Sequence, residues 1–240
     1  MILSLKGTKG HFYPERFELT LERCRPARLK VETVEPAKDE SAYTLAIGDR
    51  FGLATYCPML LVEECQLAAD RFESFYIEPL RYLLDRPFPR QLLGVSYLEV
   101  YRALAKSWQM GFSVQGTLPK ERPENLLFMG NCRNSLDQTH LIFGLGPARW
   151  QLDWELMTLN LLGDGAFSKQ AVTLDTSLYR SETSEGLQLN PVAGLRPYTR
   201  VQWLGKEEVV DRLIFDSYND AMTLRFDSQT VPAGNRALTF

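Results

Sequence analysis

The feature that most limits how this chain can fold is a two-residue alternation near both of its ends. In Arg16-Phe17-Glu18-Leu19-Thr20-Leu21-Glu22 every second residue is apolar. Successive side chains of a strand point to opposite faces, so such a segment has one dry face and one wet face. Residues 28–33 repeat the pattern with Leu29 and Val31 dry, after a break at Cys24-Arg25-Pro26. Proline cannot donate to a ladder, so a hairpin is expected there. Residues 42–47 and 51–56 read as a further strand pair around Gly48-Asp49. Near the other end, Val201 and Trp203 alternate with Arg200 and Gln202, residues 209–215 return, and Met222, Leu224 and Phe226 alternate again. The turns between are short, which predicts an antiparallel three-strand meander.

Between these flanks the period changes. Leu60, Leu61, Leu67 and Ala68 fall at helical spacing after Pro58, a residue suited to a first helical turn. Glu63 and Glu64 favour the same end of a helix. A second helical stretch over 75–84 should break at Pro79. The clearest helix is 97–108, where Tyr97, Leu98, Tyr101, Leu104, Ala105 and Trp108 form an apolar stripe opposite Glu99, Arg102 and Lys106. Further on, 112–118, 126–129 and 140–145 read as strands and 131–138 as a polar turn; 150–162 fits a helix or a strand, 172–178 a strand, and 181–186 an exposed loop. The fold class expected is α+β. One globular domain, 1–240, has β-rich parts at 1–57 and 111–240 around a helical insert at 58–110.

Composition enters as a filter on function. The chain has 240 residues, is 45% hydrophobic and 24% charged, and carries a net charge of −3. That suits a globular domain with a real core and argues against bulk attraction to nucleic acid or anionic lipid. Lys6 and Lys9 interrupt the apolar start before a secretory signal forms, and no run of 18 apolar residues occurs. Cys24, Cys57, Cys65 and Cys132 lack metal-knuckle or redox spacing. Four free thiols, no metal and a soluble, cytoplasmic chain are expected.

Chemical motifs are sparse. Gly144-Leu145-Gly146 lacks the third glycine of a dinucleotide loop, so no cofactor is expected. The two histidines are His11 and His140. Asp137, three residues before His140, with Ser135 nearby, is the one local base-and-nucleophile arrangement; His11 sits between Gly10 and two aromatics. Arg23, Arg25, Arg28 and Lys30 form the one basic cluster that suits phosphates. Tryptophan, tyrosine and arginine dominate protein interfaces. Trp150 beside Arg149, and Arg200 with Gln202 on the wet side of an alternating strand, are accordingly the expected partner-facing residues. The reading is a non-enzymatic binding or adaptor subunit that contacts another protein or a second copy. An enzyme assembled from His140, Asp137 and His11 is one alternative, and a nucleic-acid-binding subunit of a larger complex is the other.

Overall fold

The computed structural model describes residues 2–7, 10–36, 42–49, 52–118, 120, 125–143, 149–163, 166, 171–184 and 186–226, with the side chains of 49, 52–59, 140 and 141 outside that description. In chain order the elements are β1 (Ile2–Gly7), β2 (Gly10–Phe12), β3 (Arg16–Glu22), β4 (Arg28–Thr33), β5 (Tyr43–Asp49), β6 (Gly52–Ala68) and β7 (Arg71–Ile77). There follow α1 (Leu80–Asp85), β8 (Arg90–Leu93), α2 (Tyr97–Ser107), β9 (Gly111–Gln115), β10 (Asn125–Phe128), α3 (Cys132–Ile142), β11 (Trp150–Asp153) and β12 (Thr158–Leu162). The last are β13 (Val172–Thr173), β14 (Tyr179–Thr183), β15 (Gly186–Leu189), β16 (Arg200–Trp203), β17 (Lys206–Asp216) and β18 (Ala221–Phe226).

Among the described residues 13 strands join one sheet, in the order β14-β15-β18-β17-β3-β4-β7-β6-β5-β1-β2, with β16 also on β17 and β13 on β16. The two alternating flanks of the sequence meet in it. Strand β17 pairs antiparallel with β3, setting Leu213 opposite Leu21 and Phe215 opposite Leu19. One buried cluster gathers the dry faces of both, including Phe17, Leu19, Leu29, Val31, Leu213, Phe215 and Leu224. Each such side chain contributes about 1.5–3 kcal/mol by leaving water.

A second buried cluster is built from short elements. The α2 stripe of Tyr97, Tyr101, Leu104, Ala105 and Trp108 packs with Leu80 and Leu84 of α1, Phe128 of β10, Leu136 of α3, and Trp150, Leu159 and Leu161 of the β11–β12 hairpin. Helix α2 starts where its sequence says it should. Ser96 Oγ accepts from Glu99 N at 3.4 Å, and Glu99 Oε2 accepts from Ser96 N at 2.7 Å, a reciprocal capping box.

The expected α+β class with a helical insert at 58–110 is overturned: among the described residues strands make up 54% and helix 15%, in three short helices. The hairpin of β3 and β4 and the β16–β17–β18 meander are present. What fails is the insert. Residues 59–72 belong to the 17-residue strand β6 and the start of β7. Strand β6 pairs with β5 in its first half and with β7 in its second. In its second half Glu63, Glu64, Cys65, Gln66 and Leu67 are all exposed, so no dry face alternates there and the apolar spacing mimics a helix. Pro58 lies where the β5–β6 register shifts, a position where a missing N–H is tolerated. Pro79 caps α1 rather than breaking a longer helix, since residues before it are strand.

Two further corrections follow from local chemistry. Residues 131–138, expected as a turn, and the start of 140–145, expected as a strand, form α3. Its buried hydroxyls bond back along the helix, Ser135 Oγ to Asn131 O at 3.0 Å and Thr139 Oγ1 to Ser135 O at 2.6 Å. Residues 181–186, expected as a loop, supply β14 and the start of β15, and only Val172–Thr173 of 172–178 is strand.

Candidate functional site

The two cores meet at a buried polar seam. Just after β3, Arg23 lies buried, with Nε 2.9 Å from Asp211 Oδ1 on β17 and its guanidinium over the Tyr198 ring at 5.1 Å. The Trp150 carbonyl accepts from Cys24 Sγ at 3.1 Å and from the Tyr198 hydroxyl at 2.9 Å. Cys24 and Tyr198 both adopt the left-handed backbone region, at φ 54° and 71°. Side-chain-bearing residues hold that conformation where surrounding contacts impose it. Glu78 completes the seam, accepting from Ala27 N at 2.8 Å and from Trp154 Nε1.

Burial holds the groups of this seam toward their neutral forms. Burial pushes the Cys24 thiol up to about 12 and the Tyr198 hydroxyl well above its ordinary value. A thiol held neutral is neither a nucleophile nor a metal ligand. Burial also raises Glu78. Among the described residues no three His, Cys, Asp or Glu come together as a metal site, and Cys24, Cys65 and Cys132 are free thiols. The Cys57 side chain lies outside the described residues.

The described catalytic candidates lie on separate elements. His11 is on β2, stacked on Tyr13 at a ring separation of 6.2 Å. Asp137 is exposed on α3 while Ser135 of the same helix is buried, so the two face apart. The His140 side chain and the Gly144–Gly146 segment lie outside the described residues. The basic cluster is divided. Arg23 is buried in its ion pair and Lys30 Nζ sits 2.8 Å from Glu73 Oε1, leaving Arg25 and Arg28 exposed. Both line a cavity of about 460 Å³ of mixed charge, with Glu18, Glu22 and Glu63 beside Lys30 and Arg212.

Of the expected partner-facing residues, Trp150 is 1% exposed and belongs to the second core. Arg149, just before it, is half-buried. Arg200 pairs with Glu207 of the neighbouring strand β17. Gln202 is exposed and accepts a long hydrogen bond from Thr173 Oγ1 at 3.5 Å. As the alternation predicts, Val201 and Trp203 point inward.

Surfaces that composition alone did not reveal are more open. In the β8–β10 ribbon Leu127 lies opposite Gln91, and Leu93 opposite Asn125, so both leucines share the outer face. Met129, just past β10, is exposed as well, and the three are 61–69% exposed. Beside β14, a groove of about 300 Å³ is lined by Glu182, Leu187, Trp203, Lys206, Glu208 and Leu224 among others. Tyr179 stacks on Trp203 there at 5.8 Å. The β14 segment looked like a loop because Ser, Glu and Thr carry no apolar alternation.

No family model matches the chain, and no curated protein matches it. Solved structures do. The 43 kDa tail protein of prophage MuSo2 from Shewanella oneidensis aligns with a TM-score of 0.64 at 9% identity, over 94% of this chain and 97% of that one. The tail protein of Neisseria meningitidis MC58 aligns at 0.61 and 9% identity, over 95% and 96%. The E. coli c3393 protein aligns at 0.59 and 13% identity, over 89% and 73%. That protein is described as a component of the type VI secretion system with structural similarity to the T4 bacteriophage tail proteins gp27 and gp5. At these identities what is shared is the fold.

Proposed function

We propose that this chain is a structural subunit of a tail-like or secretion-like protein assembly, and that it acts by binding other protein chains rather than by catalysis. The observation that carries the reading is the similarity of fold, over nearly the whole chain, to tail proteins from two bacteria. The exposed Leu93 and Leu127 on the outer face of the β8–β10 ribbon, with Met129 just past it, support it, since exposed large apolar side chains suit a contact surface. So does the seam, whose neutral thiol and bonded hydroxyls brace two cores and offer no reactive group. The placement of His11 on β2 and Asp137 on α3 supports the non-catalytic reading.

The test is to tag the chain in its own cells and purify it gently. The proposal expects it inside a multi-protein particle visible by electron microscopy. Recovery of the chain alone, at its 27.5 kDa mass, would overturn the proposal.

A further inference from the structure

Among the described residues the main run of the large sheet ends in β2 and β14, whose outer edges pair with no other strand, while a side branch ends in the two-residue β13. A bare strand edge presents a row of backbone donors and acceptors that templates another strand. These two edges differ in chemistry. The β1–β2 hairpin sets Lys6 directly opposite His11, and residues 1–14 contain no aspartate or glutamate. Tyr13, which follows β2, is 60% exposed and stacks on His11.

The β14 end is the complement. Residues 181–195 contain Glu182 and Glu185 and no lysine, arginine or histidine. Arg180, the one base of β14, turns back on its own chain: Nε donates to Asn190 Oδ1 at 2.6 Å, Nη1 donates to Asn219 O at 2.7 Å, and Nη2 lies 3.9 Å from Asp220. Next to this edge is the groove whose floor includes Leu187, Trp203 and Leu224, and whose rim carries Glu182 and Glu208 together with Lys206 and Arg225. An added strand gains main-chain bonds from an edge and specificity from an adjacent pocket.

We infer that β2 of one copy of this chain docks along β14 of a second copy, with Lys6 near Glu182 and an aromatic side chain of the β2 end in the groove. The inference rests on the structural-subunit reading and names one partner, the chain itself. Because the two edges are different surfaces, the contact is heterologous. Each copy keeps one edge of each kind, so association continues into a closed ring or a filament.

Charge reversal tests this with two exposed residues that the fold does not need. Sedimentation of the purified chain across a concentration series should show concentration-dependent assembly that weakens as salt rises. Lys6→Glu and Glu182→Lys should each weaken it about tenfold, with unchanged melting temperature. An equimolar mixture of the two variants should restore assembly, because every contact in an alternating array then joins opposite charges. Assembly of each single variant at parental strength places self-association elsewhere and overturns the inference while leaving the subunit reading intact. A parent that stays monomeric while other proteins co-purify with it does the same. A parent that neither self-associates nor retains a partner overturns both.

Discussion

The large sheet and the small core are held together by different physics. In the large sheet, strands far apart in sequence share ladders, as β3 and β17 do, and the core is the sum of many dry faces. Its order comes from register: slipping one residue would send Phe17, Leu19 and Leu21 to the wet side. The small core has only a two-stranded ribbon and a three-stranded sheet. Its order comes from aromatic side chains packing across elements, such as Trp108 against Trp150 at 6.3 Å and Tyr97 against Phe143 at 5.3 Å. Long-range ladders tolerate a weak local signal; a core of short pieces needs every piece strongly specified.

Substitutions can break that comparison. The largest effect is expected from Phe215→Ala in the large sheet, about 3–5 kcal/mol, because the fully buried ring lies where β17 joins β3. Leu104→Ala should cost about 2–5 kcal/mol at the centre of the small core, against less than about 0.5 kcal/mol for Lys106→Ala on the wet side of α2. Chemical denaturation followed by circular dichroism measures all three. Equal losses for Leu104→Ala and Lys106→Ala would show that the stripe does not face a core.

A smaller effect sharpens the comparison at the seam. Tyr198→Phe removes the hydroxyl that donates to the Trp150 carbonyl and bonds Cys24 Sγ, and should cost about 1–2 kcal/mol. Native-state hydrogen exchange should then quicken in α2 and β11 more than in β17 and β18. Uniform quickening would mean that the two cores open as one body.

The smallest effect is a change of pH dependence. The folded Cys24 thiol titrates near 12 against 9.0 for an ordinary cysteine, so the fold favours the neutral thiol. Stability from this group is complete below about pH 9 and is lost as pH rises toward 12, by about 1.4 kcal/mol per pH unit. Between about pH 9 and 10, before tyrosines titrate, Cys24→Ala should therefore lose less stability than the parent. An identical decline in both proteins would show that the thiol is not buried at the seam.

How much of this was legible in the sequence follows the same division. The alternation was readable in β3, β4, the second half of β17 and Met222 to Phe226 of β18, because buried residues alternate there with more exposed ones. The α2 stripe was readable because its cap and its period agree. Strand β6 was not, because five successive residues, Glu63 to Leu67, are exposed and show no alternation. Helix α3 was not, because Ser135 and Thr139 satisfy themselves within the helix, a bond that composition does not announce. Among the expected contact residues, alternation placed Gln202 correctly outside, but nothing local showed that Trp150 would be enclosed by α2. The seam was out of reach for a similar reason: Arg23, Trp150, Tyr198 and Asp211 come together only through the pairing of distant strands.

The most direct test of the subunit account is hydrogen exchange on the chain inside its purified assembly, compared with the same chain released from it. The account predicts slower amide exchange at exposed strands, β14 foremost, with α2 and the seam unchanged. Identical exchange in both states would contradict it, because no described surface would then be held by a partner.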